Sequence, residues 1–153
     1  MKHITFGKAF IRLFTLITLS FALFGFTNNW GLDSYEIYLN NKLILKQAVN
    51  QPLNLRVLKL HKANDGDQLH IKYKHCTIKD GAGTNRNIIL KDEKGNTVKK
   101  WGFADATGSD LSMAIAVKEL LQLEKNNARH ELSLHYTARE LPKGEMLAMV
   151  RVE

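Results

Sequence analysis

Leu69-His70-Ile71-Lys72-Tyr73-Lys74-His75-Cys76 alternates without a break, and its reading decides the fold. Successive side chains of a strand point to opposite faces, so Leu69, Ile71, Tyr73 and His75 share one face. His70, Lys72, Lys74 and Cys76 share the other. An apolar face backed by a cationic one predicts a strand with one side in a core and the other in solvent. Asn64-Asp65-Gly66-Asp67 before it has turn composition, and Asp80-Gly81-Ala82-Gly83 after it opens a loop.

The same period extends both ways. Tyr35, Ile37 and Leu39 alternate with Glu36 and Tyr38. Asn40-Asn41-Lys42 then make a tight turn, and Leu43-Ile44-Leu45 begin a return strand, which predicts a hairpin. Leu53, Leu55 and Val57 keep a period of two, and Leu58 and Leu60 continue it in the opposite phase. Such a slip predicts a bulge or a bend between two sheets. Downstream, 88–90 and 98–103 flank Glu93-Lys94-Gly95-Asn96 as a second hairpin. The last strands are Leu132, Leu134 and Tyr136, then 146–152, with Leu141-Pro142-Lys143-Gly144 between them as a type I turn.

Residues 110–126 carry both periods. Met113, Val117, Leu120 and Leu121 fit helical spacing, while Met113, Ile115 and Val117 alternate as a strand does. A strand to about Val117, then a helical turn from Lys118 to Leu123, satisfies both; one longer helix is the alternative. About eight short strands at spacings near ten residues predict a mainly β fold, an antiparallel β-sandwich with one short helix near 112–125. An immunoglobulin-like architecture is one form of it, although the cysteine-tryptophan-cysteine marker of that family is absent.

The amino terminus reads as a signal peptide over 1–22, with cleavage near Ala22 or Thr27, followed by a single β-sandwich domain over 28–153. Lys2, Lys8 and Arg12 precede an apolar run from Leu13 to Phe26, and Ser20 and Ala22 have cleavage spacing. The uncharged stretch between Arg12 and Asn28 is short of the roughly 20 residues a spanning helix needs. A retained anchor is the alternative. The formal charge of +7 is unevenly spread, with 13 basic against 5 acidic residues from Lys42 to Lys100. A basic half attracts anionic partners, here an envelope protein or an anionic surface. Export removes nucleic acid from the candidates, and membrane contact would come only through the N-terminal segment if uncleaved.

Cys76 is the single cysteine, so no intrachain disulfide forms, and burial is the expected fate of its thiol. With His75 and with His135 from another strand it is a candidate metal-ligand set, histidine and cysteine being common ligands. Adjacent residues on a regular strand face opposite ways, so the expectation is that one of His75 and Cys76 lies in the core and the other partly outside. Met146 and Met149 are thioether donors suited to copper(I), but a spacing of three places them on opposite faces of a regular strand. Trp101 and Phe103 share a face with Lys99 and read as core. Asp65, Asp67, Asp80, Asp92, Glu93, Asp105 and Asp110 all fall in turns, so no catalytic residue is assigned and no cofactor is implied.

The hairpin from Tyr35 to Gln47, the strand end Tyr73 to Cys76, Trp101-Gly102-Phe103 and the ending from Glu140 to Ala148 carry a family likeness. In these the chain resembles small exported proteins of Bacteroidetes-type bacteria that have no assigned activity. The resemblance implies the periplasm or cell surface of a Gram-negative bacterium, and it contributes no catalytic residue. The leading expectation is a non-catalytic binding module whose contact surface carries Lys72, Lys74, Lys99 and Lys100. A metal-binding or thiol-active protein centred on Cys76 is the alternative, and an enzyme with a loop-built site is a further one.

Overall fold

A computed structural model describes residues 31–49, 51–60, 64, 66–106 and 111–151. The expected signal over 1–22, Asp65 and Asp110 lie outside the described residues. Among these there are nine strands: β1 (Ser34–Leu39), β2 (Lys42–Ala48), β3 (Val57–Lys59), β4 (Gln68–Lys74), β5 (Arg86–Lys91), β6 (Thr97–Phe103), β7 (Ser112–Ala116), β8 (Leu132–Ala138) and β9 (Leu141–Arg151). One α-helix, α1 (Val117–Asn126), follows β7 directly.

The strands form two sheets, ordered β2-β1-β4-β7 and β3-β9-β8-β5-β6. The first is antiparallel throughout, whereas β3 joins the second parallel to β9. Their inner faces make one core, and it is built from the alternation seen in sequence. Tyr35 and Ile37, then Leu69, Ile71 and Tyr73, then Met113 and Ile115 come from the first sheet. Ile88 and Leu90, with Leu132, Leu134 and Tyr136, face them from the second. The architecture is therefore a β-sandwich. Tyr73 bridges it, stacked on Tyr35 at 6.5 Å and on Tyr136 at 4.1 Å between ring centroids.

Both periods of 110–126 are used. Met113 and Ile115 alternate into the core as a strand, and the chain then turns helical, burying Val117 and Leu120. The Val117 amide donates to the Asp67 carbonyl at 3.0 Å, which starts the helix on the turn before β4. The helix closes at Asn127, whose side chain donates to the Leu123 carbonyl at 2.7 Å. It is longer than the single turn expected.

Two local expectations are corrected. Leu53 to Leu55 is a 3-10 turn rather than strand, so the inward run of Leu58 and Leu60 starts afresh in β3. The last hairpin turns at Arg139-Glu140, with Ala138 paired to Leu141, so Pro142 and Gly144 belong to β9. Gly144 adopts φ +73, and a Cβ there would come within 2.8 Å of Thr137 and 3.0 Å of the Tyr136 carbonyl. Gly144 thus lets the strand kink and continue where a turn composition predicts it to stop.

Candidate functional site

Asp33, just before β1, organises a cluster of polar side chains from β4 and the residues that follow it. Its Oδ2 accepts from the Tyr73 hydroxyl at 3.0 Å and lies 3.1 Å from His75 Nδ1. Its Oδ1 accepts from the Cys76 amide at 2.9 Å. Burial works to raise the Asp33 pKa, but the hydrogen bonds from Cys76 and Tyr73 and the nearby His75 outweigh it and hold the group below the ordinary aspartate value. A carboxylate at Oδ2 requires the proton on His75 Nδ1, and the other ring nitrogen, Nε2, lies 3.1 Å from the Tyr136 hydroxyl. Asp33, His75 and Tyr136 thus line up as carboxylate, imidazole and hydroxyl, the order of a nucleophilic relay.

The relay is sealed. His75 is 3% exposed and Tyr136 is 0%. Gly83 lies over them so closely that a Cβ would sit 2.6 Å from the Tyr136 hydroxyl and 2.8 Å from His75 Nε2. The loop carrying Gly83 is tied down on both sides. The His75 amide donates to Gly81 at 2.9 Å, Arg139 donates to the Thr84 carbonyl at 2.8 Å, and the Glu140 carboxylate accepts from the Thr84 amide and hydroxyl at 2.9 Å each. Burial, above all, pushes the Tyr136 phenol up to about 12, opposite to what an activated hydroxyl needs. The arrangement satisfies buried polar groups and closes the sandwich end.

His75 lies in the core and Cys76 is exposed, so the thiol is not buried as expected of a lone cysteine. The cause is the phase of β4: residue 76 carries on the outer alternation of Lys72 and Lys74 while Asp33 draws His75 inward. Partial desolvation, then the Asp33 hydrogen bond and charge, push the Cys76 thiol up. The candidate set His75, Cys76 and His135 is not assembled. Both ring nitrogens of His75 are engaged by Asp33 and Tyr136, and His135 sits on the outer face of the other sheet. Among the described residues no three His, Cys, Asp or Glu side chains converge on one point.

The four candidate lysines divide between faces. Lys72 and Lys74 stand on the outer face of the first sheet. Lys72 Nζ lies 5.1 Å from the Tyr38 ring centroid, and that ring's hydroxyl donates to Glu36, which also binds Lys46 at 2.7 Å. Beside Lys72 a shallow cavity of about 310 Å³ is lined by Tyr38, Asn40, His70 and Ser112. Lys99, opposite the buried Leu90, occupies an inner-face position of edge strand β6 and binds Glu119 of α1 at 2.8 Å. Lys100 points the other way, to the outer face of the second sheet. Trp101, half-buried, donates to the same Glu119 at 2.8 Å and packs with Phe103 against the core.

Met146 and Met149 do not fall on opposite faces. The pairs Ser133 with Met149, Leu134 with Ala148 and His135 with Met146 leave Leu147 as an extra residue, a β-bulge. Leu147 and Ala148 both turn inward, so both methionines emerge on the outer face beside His135. Asp33, the centre of the network, was missed by sequence reading, as was buried Arg56. Arg56 Nη1 donates to Glu145 at 2.6 Å and to the Met146 carbonyl at 2.7 Å. No pattern of period or motif marks either residue. Among the described residues no helix is long and apolar enough to cross a membrane. No protein-family description, curated protein or solved structure matches this chain.

Proposed function

We propose that the chain is an exported cell-envelope protein acting as a non-catalytic binding module, with the outer face of the first sheet as its contact surface for an anionic partner. The observation carrying this reading is the sealing of the relay by Gly83, which leaves no room for a substrate atom at the imidazole. What faces solvent instead is a sheet surface with Lys72, Lys74 and Lys46, set beside a shallow polar cavity. Lys99 lies apart from that surface, on edge strand β6 of the second sheet, where it pairs with Glu119. The signal pattern of 1–22 and the resemblance to small exported proteins support a setting in the periplasm or at the cell surface.

The test is retention of the protein in the envelope fraction against salt. Exposed charges are screened as the Debye length falls to about 3 Å at 1 M salt. The wild type should be held at low salt and released at high salt, and Lys72→Glu with Lys74→Glu should release it already at low salt. Lys99→Gln should behave as wild type. Retention that ignores both salt and the Lys72 and Lys74 changes would overturn the proposal.

A further inference from the structure

We propose that His135, Met146 and Met149 form a binding site for one soft monovalent metal ion, copper(I), on the outer face of the second sheet. The site is separate from the anionic-partner surface, which lies on the other sheet.

The bulge at Leu147 creates it. Met146 stands directly across from His135, and Met149 directly across from Ser133, so the three donors share one small area of two adjacent strands. Cross-strand neighbours have Cα atoms about 5 Å apart, within reach of long thioether side chains. All three line one shallow cavity of about 370 Å³. The bulge is held from inside the sandwich: Tyr35 donates its hydroxyl to the Leu147 carbonyl, and Arg56 grips the Met146 carbonyl and accepts from the Met149 amide at 2.8 Å. Bulges that re-aim side chains recur next to functional sites.

The donor chemistry selects the ion. Two thioethers and an imidazole are soft and borderline ligands, the set that takes copper(I) over magnesium or calcium. Ser133 Oγ lies 3.0 Å from His135 Nε2, so one ring nitrogen is oriented by a neighbour while the other is left for the ion. Carboxylates also line the cavity and favour a cation against the single Lys91. Asp92, however, is committed to Lys94 and Asn96 in the turn, and Glu93 to His130 at 2.8 Å. Glu131, exposed at the same cavity, adds a third carboxylate that draws a cation in, and His135, Met146 and Met149 supply the soft donors.

The decisive experiment uses silver(I), a redox-inert ion of the same chemistry, on the Cys76→Ser chain, so that the exposed thiol cannot capture it. With methionine methyl groups labelled in carbon-13, the first equivalent of silver(I) should shift the Met146 and Met149 resonances and leave buried Met113 in place. Competitive titration with copper(I) and a chromophoric chelator should then show the affinity falling more than about tenfold on replacing both Met146 and Met149 by Leu. Leucine matches methionine in volume and leaves the core untouched, and the methyl spectrum decides the question even if that variant misfolds. Unmoved Met146 and Met149 resonances at one equivalent, or undiminished affinity in the folded leucine variant, would overturn the proposal.

Discussion

The Tyr35 hydroxyl, on the first sheet, donates to the carbonyl of Leu147, the extra residue in the bulge of the second. A bulged residue loses its ladder partner, and a buried carbonyl without a donor is costly. One side of the sandwich thereby fixes the backbone of the other. The outer-face positions of Met146 and Met149 follow from a contact made inside the core.

Tyr35→Phe keeps the ring and its stack on Tyr73 but strips the donor. The expected loss is about 1–3 kcal/mol of stability, the cost of a buried acceptor left unpaired. Urea unfolding measures it, and amide exchange should quicken locally at 146–149. A change within error of zero would mean that water or relaxation replaces the phenol.

Most of the fold was legible in sequence because most of it obeys a simple period. Leu69, Ile71, Tyr73 and His75 face the core as their alternation requires, and Ser112 to Asn126 is strand then helix because it carries both periods. The bulge was not legible. A rule of period two places Met146 and Met149 apart, and only the pairing partner on β8 and the grip of Arg56 reveal the inserted residue. Pro142 and Gly144 misled for a related reason, since a kinked strand and a turn draw on the same residues. Asp33 was invisible because its partners lie about 40 positions away, at 40, 42 and 43 residues.

Asp33→Ala removes the acceptor shared by Tyr73, His75 and the Cys76 amide. Stranding these groups should cost about 2 kcal/mol or more. The same change removes a carboxylate that holds the Cys76 thiol up. Alkylation of the folded variant near neutral pH should therefore be faster than that of wild type, although the chain is less stable. Slower or unchanged labelling would separate the thiol from Asp33.

Gly83→Ala tests the seal directly. The added methyl would meet the Tyr136 hydroxyl at 2.6 Å, His75 Nε2 at 2.8 Å and the Ala138 Cβ at 2.9 Å. None of these can retreat, because each is buried and the first two are bonded to each other. Overpacking of this kind costs about 1–3 kcal/mol. Calorimetry should show the loss, and a variant as stable as wild type would mean that the space above the relay is open to a ligand after all.

The alkaline limb of stability follows from the same packing. Burial is the main cause that pushes Tyr35 and Tyr136 up to about 12, and it raises Tyr73 as well, with the Asp33 charge adding to it. An unfolded tyrosine ionises near pH 10. Above that point the unfolded chain has released phenolic protons that the folded chain still holds, so rising pH favours unfolding. The contribution is fully present below about pH 10 and is lost as pH climbs toward the folded values near 12. Tyrosinate absorbance of the native protein at about pH 11 should stay well below that of the urea-unfolded chain, and the urea midpoint should fall steadily across this window. Tyr136→Phe removes one of the linked protons, so its midpoint should fall less steeply with pH even though it starts lower. Equal absorbance of folded and unfolded protein at about pH 11 would place these phenols in contact with solvent, and the sealed relay with them.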